Sequence, residues 1–185
     1  IVALAIGGSR VLLIDADMRR PRAHELFNVA VEPGLSNLLV GAAKPSEVVL
    51  ATSLENLWTM PAGKTPPNPA ELLGSRRFAD LTSSLGGHFD CVIIDTPPVL
   101  AVTDAAVIAH LASGVLFVIA ADITSRQAAE TALGMIAVLN LCANATLSRT
   151  LMTSSTVFVA FLGLVLFGGP VLYSGAMPMK HVPLG

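Results

Sequence analysis

The stretch Arg10–Arg22, R-V-L-L-I-D-A-D-M-R-R-P-R, carries the pattern around which the rest of the chain is organised. Val11–Ile14 is a continuous run of branched apolar residues, which is typical of a strand buried on both faces of a parallel sheet. Asp15 and Asp17 follow this run, and alternate side chains of a strand point to the same side. Both carboxylates are therefore expected at the carboxyl end of the strand, where open α/β sheets bind their ligands.

Three arginines, Arg19, Arg20 and Arg22, come directly after the two acids. Carboxylates are suited to a divalent cation and guanidinium groups to phosphate oxygens, so the stretch indicates a metal–nucleotide site. The alternative is that the acids only cap the next turn and that the arginines form a solvated face. The stretch by itself leaves both interpretations open.

A second stretch shows the same pattern of an apolar run that ends on an acid. Cys91–Val99, C-V-I-I-D-T-P-P-V, is again an apolar strand that ends on an acid, Asp95. In Walker B strands such an aspartate binds Mg²⁺ directly or through water. Strands alternate with helical patterns along the chain, which predicts an α/β fold with three layers: a mainly parallel sheet with helices on both faces. The segment Thr96-Pro97-Pro98 is expected to form a rigid loop, and Thr124–Leu133 is expected to form a helix. Asp104 is expected at the start of another helix, either as a surface acid or as a catalytic residue.

Together these stretches resemble the bacterial tyrosine kinases (BY-kinases) of capsule and exopolysaccharide synthesis, P-loop proteins related to the partitioning ATPases. Three further segments carry the resemblance: Glu32–Leu39 (E-P-G-L-S-N-L-L), Met60–Leu73 (M-P-A-G-K-T-P-P-N-P-A-E-L-L) and Ala101–Ala105 (A-V-T-D-A). The similarity extends from about Ile1 to about Leu139. It implies a P-loop NTPase-like fold over residues 1–139.

The resemblance also implies an activity and its residues. The chain would be an ATP-dependent protein-tyrosine kinase domain in which Asp15 orients or deprotonates the tyrosine hydroxyl, while Asp17 and Asp95 bind Mg²⁺. The nucleotide-binding residues expected from the family are Arg19, Arg20, Thr96 and Pro97.

Partners and location are likewise implied by the family. The domain would regulate the chain length and export of a capsular polysaccharide or exopolysaccharide at the cytoplasmic face of the bacterial inner membrane. It would act with a membrane-bound co-polymerase or chain-length adaptor, and as a homo-oligomer. The net charge of −2 gives no general attraction to nucleic acid, and no nucleic-acid partner is expected.

The phosphate-binding Walker A string of the family, G-x-x-x-x-G-K-[ST], does not occur in the 185 residues. Ile1–Ile6 has the pattern of a helix that Gly7 and Gly8 bring to an end. The domain is therefore expected to be truncated at its N-terminus, and the isolated chain is expected to bind ATP weakly.

The composition changes sharply after Glu130, because only Arg149 and Lys180 are charged beyond it. Residues 140–185 are expected to form a divergent apolar tail, with a possible membrane segment at about 156–173. A misread or non-native end and a soluble core segment are the alternatives. Tyr173 is the only tyrosine, so the tyrosine cluster of the family is missing or lies on another chain.

Two other functions share parts of these patterns. One is a partitioning-type ATPase switch, and the other is a catalytically dead regulator that docks on a membrane export protein. Neither a Ser/His/Asp nor a Cys/His arrangement is present, so nucleophilic hydrolysis has no support in the sequence.

Overall fold

The strands of the described residues form one six-stranded sheet. The computed structural model describes residues 1–120, 124–147 and 157–163, with side chains described through Ile136. The strands are β1 (Val11–Asp15), β2 (Leu50–Ala51), β3 (Leu57–Met60), β4 (Cys91–Thr96), β5 (Gly114–Val118) and β6 (Val157–Gly163). Their order across the sheet is β2-β3-β1-β4-β6-β5. Every pairing is parallel except that of β2 with β3.

Helices connect the strands, as a parallel sheet requires. They are α1 (Val2–Ile6), α2 (Ala23–Phe27), α3 (Leu35–Leu39), α4 (Pro45–Val48), α5 (Pro69–Leu73), α6 (Arg76–Leu85), α7 (Asp104–Ala109) and α8 (Arg126–Leu147). Their boundaries follow from local chemistry. Pro69 begins α5, where its missing N–H costs nothing. The Ser75 hydroxyl accepts the Phe78 N–H at the start of α6.

The alternation of β1 divides the core into two layers. Leu12 and Ile14 pack on one face with residues of α3, α5, α6 and α7, among them the fully buried Phe78. Val11 and Leu13 pack on the other face with Ala5 of α1 and with α2. The predicted three-layer α/β fold with helices on both faces is thereby confirmed.

Two predicted elements differ from the structure. The helix predicted over Thr124–Leu133 runs from Arg126 to Leu147, because no proline follows and Gly134 is tolerated inside it. Thr96, expected in a loop, is instead the last residue of β4.

The sheet continues into the apolar C-terminal region. Of the possible membrane segment at 156–173, residues 157–163 form β6, which lies between β4 and β5. The rest of that segment, including Tyr173, lies outside the described residues. In the parts of the chain that the structure describes, no helix is long and apolar enough to cross a membrane. The membrane segment and the boundary at residue 139 stay predictions.

Candidate active site at the carboxyl edge of the sheet

The two strand-end acids predicted from the sequence lie side by side. β1 and β4 are neighbouring parallel strands, and Asp15 is the register partner of Asp95. The Ala16 N–H donates to the Asp95 carbonyl oxygen at 2.8 Å, so the segments that leave β1 and β4 stay hydrogen-bonded at the end of the sheet. Asp17 follows directly. The structure therefore brings Asp15, Asp17 and Asp95 to one edge, as expected.

Asp15 is engaged by the backbone of the loop that follows β1. Its side chain is fully buried, and both carboxylate oxygens accept backbone N–H groups: Asp17 at 3.1 Å, Arg22 at 3.1 Å and Ala23 at 3.0 Å. Burial raises the pKa of Asp15, and these three hydrogen bonds oppose that effect. Asp15 thus closes the loop between β1 and α2, an arrangement that the sequence did not reveal.

Asp17 is only partly buried and keeps part of its carboxylate available. Its Oδ1 accepts the Arg19 N–H at 3.1 Å and the Arg20 N–H at 3.0 Å. In the described part of the chain, its Oδ2 takes no hydrogen bond. Of the two acids at the end of β1, Asp17 is therefore the one with an oxygen free to bind a ligand.

Asp95 has a strongly perturbed acidity. Its pKa is raised to about 7, first because burial disfavours the charged form and then because Asp15 and Asp17 repel a further negative charge. A hydrogen bond from the Thr96 backbone N–H opposes the effect. Because Asp15 and Asp17 disfavour the charged form of Asp95, a cation at this edge would be favoured.

The predicted phosphate-binding residues fall into two groups. The Arg19 guanidinium is bound to Asp104, with Nε to Oδ2 at 2.9 Å and Nη2 to Oδ1 at 3.0 Å, so Asp104 is its partner in this structure. Arg20 is exposed, and no carboxylate of the described residues lies within ion-pair distance of it. Thr96 and Pro97 are buried where β4 ends. That these residues bind nucleotide stays a prediction.

Asp104 is the functional candidate whose role the sequence left open. It was expected to act as a surface acid at the start of α7 or as a catalytic residue. It is fully buried and paired with Arg19, so it is not a surface acid. One signal was present, because an isolated acid inside the apolar run A-V-T-D-A-A-V-I-A indicates a buried and paired carboxylate.

The other two segments that carry the family resemblance pack against each other. The Leu35 N–H donates to the Pro61 carbonyl at 2.8 Å, and Asn37 Oδ1 accepts the Gly34 N–H at 3.0 Å. A Cβ atom on Gly34 would lie 2.3 Å from the Gly63 nitrogen, so only glycine permits this approach. These contacts bind the loop after β3 to the start of α3.

The carboxylates at this edge do not form a complete metal cage. Among the residues that the structure describes, no group of three or more His, Cys, Asp or Glu side chains is arranged to hold a metal ion. Mg²⁺ needs no such cage, because it commonly takes one or two carboxylates together with waters and phosphate oxygens. The free oxygen of Asp17 and the raised pKa of Asp95 fit that mode of binding.

One family model matches the chain. It describes the C-terminal part of the protein export membrane protein SecD/SecF and matches residues 115–180. This is little more than a third of the chain and begins within β5, so it does not assign the protein to that family.

Several curated relatives are bacterial tyrosine kinases. The chain is 39% identical over 135 residues to the putative tyrosine-protein kinase CapB of Staphylococcus aureus, which covers 73% of this chain and 59% of CapB. It is 42% identical over 124 residues to the tyrosine-protein kinase wzc of Salmonella typhimurium, covering 67% of this chain and 17% of wzc. The chain thus spans a little over half of one relative and a small part of the other.

Solved structures lead to the same group. The chimerical protein CapA2B2 superposes with a TM-score of 0.72 at 30% identity, covering 88% of this chain and 66% of that one. The kinase domain of the Escherichia coli tyrosine kinase ETK superposes with a TM-score of 0.72 at 28% identity, and the match covers 95% of this chain and 64% of that one. The Pyrococcus furiosus cell division ATPase MinD superposes with a TM-score of 0.58 at 17% identity, and the match covers 86% of this chain and 61% of that one. This similarity concerns the fold alone. Over the part that these relatives match, the chain belongs to the family of bacterial tyrosine kinases, whose fold is related to that of the MinD-type P-loop ATPases.

Proposed function

We propose that this chain is part of an ATP-dependent protein-tyrosine kinase that regulates the chain length and export of a capsular polysaccharide or exopolysaccharide. The observation that carries the proposal is the placement of Asp15, Asp17 and Asp95 at one sheet edge in a chain whose relatives are named tyrosine-protein kinases. Transfer of a γ-phosphoryl group depends on a cation, positive charge near the phosphates and an oriented acceptor hydroxyl.

The proposed roles follow from how each acid is already occupied. Asp17 and Asp95 would bind Mg²⁺, partly through water, and the ion would neutralise charge on the ATP phosphates. Asp15 was expected to orient or deprotonate the tyrosine hydroxyl. Its three backbone hydrogen bonds and complete burial support an anchoring role instead, with Asp17 better placed to meet the acceptor.

Positive charge would come from Arg20, whose guanidinium is exposed and without an acidic partner in the described residues. Arg19 is committed to Asp104 and would act on phosphates only at a distance. The backbone N–H of Thr96 donates to Asp95, so Thr96 would act mainly through that acid.

Partner and location are part of the same proposal. A membrane-bound polysaccharide co-polymerase or chain-length adaptor at the cytoplasmic face of the inner membrane is the expected partner, and the kinase is expected to form homo-oligomers. The support is the kinship with wzc and with a putative tyrosine-protein kinase in the cps region of Klebsiella pneumoniae.

A graft tests the activity without depending on the isolated chain. The segment that matches the tyrosine-protein kinase YwqD of Bacillus subtilis, 131 residues at 38% identity, would replace the corresponding segment of YwqD. With radiolabelled ATP and Mg²⁺, the graft should form phosphotyrosine. Asp17→Asn and Asp95→Asn should abolish the product, whereas Asp90→Asn, at the opposite edge of the sheet, should not.

Other products would favour the other functions. Release of free phosphate without phosphotyrosine would indicate a partitioning-type ATPase. A graft that is inactive but still restores polymer length in cells, with or without Asp17 and Asp95, would indicate a regulator that no longer handles nucleotide.

A further inference from the structure

A partly buried ion pair joins the loop after β1 to the start of α7, beside the candidate active site. Arg19, in the loop after β1, meets Asp104, the first residue of α7, through two hydrogen bonds of 2.9 and 3.0 Å. The Asp104 side chain is 0% exposed, whereas that of Arg19 is 42% exposed. A bidentate arginine–carboxylate pair fixes orientation as well as distance. The pair therefore fixes the distance between the loop after β1 and the start of α7.

The same arginine also holds one of the active-site acids. The backbone N–H of Arg19 donates to Asp17 Oδ1 at 3.1 Å. A continuous path thus runs from the Asp104 carboxylate through the Arg19 side chain and backbone to the Asp17 carboxylate. The pKa of Arg19 is raised mainly by its hydrogen bonds with Asp104, with a smaller contribution from Asp17, which places its charge beside both acids.

We propose that Asp104 is a positioning residue, which acts through Arg19 to hold the Asp17 carboxylate in place for a nucleotide-bound divalent cation. The identity of the cation rests on the proposed kinase function. The geometric link between Asp104, Arg19 and Asp17 is independent of that function. Asp104 would not touch the substrate, because it is buried beneath Arg19 and occupied by it.

The fold supplies a matched control for this pair. Arg10 and Asp90 also form a bidentate pair, with Nη2 to Oδ1 at 2.8 Å and Nε to Oδ2 at 3.2 Å. They directly precede β1 and β4, at the opposite end of these strands from Asp17, and both side chains are about half exposed. Removing this pair changes charge and cross-strand contact without touching the Asp17 edge.

The first experiment measures the link without any ligand. Native-state hydrogen exchange of the Arg19 and Arg20 amides, the two that Asp17 accepts, reports whether the loop stays closed. Asp104→Asn should accelerate exchange at both amides by about tenfold or more, and Asp90→Asn should not. Arg19→Lys keeps a charge for Asp104 but loses the planar fork, so it should give an intermediate rate and covers the case in which Asp104→Asn fails to fold.

The second experiment measures the cation site. Mn²⁺ alone, without ATP and in competition with Mg²⁺, would be titrated and followed by the electron paramagnetic resonance signal of the free ion. We expect Asp17→Asn to abolish binding and Asp104→Asn to weaken it by about tenfold or more, the usual effect of losing a residue that orients a metal ligand. Asp90→Asn should bind as the unaltered protein does.

The two experiments separate the positioning role from the proposed function. Unchanged exchange at the Arg19 and Arg20 amides in Asp104→Asn would overturn the positioning role. Faster exchange with unaltered Mn²⁺ affinity would overturn the connection to the cation while leaving the kinase proposal intact. If the unaltered protein binds no Mn²⁺, the cation site of the proposed function is wrong, and the exchange rates still decide whether Asp104 positions Asp17.

Discussion

Asp95 provides the sharpest test of the electrostatics at the sheet edge, through the substitution Asp95→Asn. Asparagine has nearly the same shape and can still accept the Thr96 N–H through its carbonyl oxygen. It carries no charge, so the repulsion from Asp15 and Asp17 disappears. We therefore expect a protein that is more stable than the original above neutral pH and that has lost its proposed cation ligand.

The size of the effect follows from the pKa of Asp95, which lies at about 7 instead of 3.8. At 1.36 kcal/mol per pK unit, ionising this group in the folded protein costs ~4 kcal/mol more than in the unfolded chain. Asp95 is partly exposed and water screens part of the repulsion, so about 1–3 kcal/mol should appear as added stability.

The pH dependence gives the prediction its sign. The folded-state pKa is raised, so the stability associated with this group is complete below about pH 4 and is lost as the pH rises through about 7. The advantage of Asp95→Asn should therefore be largest at pH 8, fall to less than half of that value at pH 5, and nearly vanish near pH 4.

Urea unfolding at pH 8 and pH 5 measures both the gain and its dependence on pH. Asp90→Asn is the control of opposite sign. Arg10 lowers the pKa of Asp90 to about 2, so Asp90 stabilises the fold above pH 4, and this stabilisation is lost as the pH falls through about 2. The reasoning is refuted if the urea midpoint of Asp95→Asn at pH 8 is at or below that of the original protein. It is also refuted if the gain in free energy of unfolding is as large at pH 5 as at pH 8.

Three further predictions concern the loops and the nucleotide. Asp15→Asn should destabilise the protein by about 1–3 kcal/mol in urea unfolding, because an amide cannot accept all three backbone N–H groups. Gly34→Ala should cost about 1–3 kcal/mol in thermal unfolding because its Cβ meets the backbone of Gly63, whereas Gly114→Ala, with nothing within 4 Å, should be nearly neutral. Calorimetric titration of the isolated chain with Mg²⁺ and ATP should give no stoichiometric binding at micromolar affinity, since the chain contains no Walker A string.

The fold could be predicted because its determinants are local. The apolar run Val11–Ile14 and its counterpart in Cys91–Thr96 mark buried strands directly, and in a parallel sheet their carboxyl ends must meet at one edge. The proximity of Asp15 and Asp95 follows from that topology without any knowledge of side-chain packing. The course of α8 to Leu147 was missed because weak breakers such as Gly134 do not fix where a helix ends.

The hydrogen bonding within the site could not be predicted, because it depends on side-chain partners far apart in sequence. Arg19 and Asp104 are separated by 85 positions, and nothing in either local pattern selects the other. The sequence equally supported a phosphate-binding Arg19 and a surface Asp104. The burial of Asp104 explains why the two residues pair, since a carboxylate that is fully withdrawn from water must be paired.

The charges at this edge differ in how far the protein itself compensates them. Three backbone N–H groups stabilise Asp15, two stabilise one oxygen of Asp17, and Arg19 neutralises Asp104. Asp95 has no cationic partner in the described residues and one backbone hydrogen bond, and it is there that the pKa rises to about 7. Asp95 and the free oxygen of Asp17 are thus the positions at this edge that the described residues compensate least. A divalent cation bound between them would supply the missing positive charge at the place where the proposed phosphoryl transfer requires it.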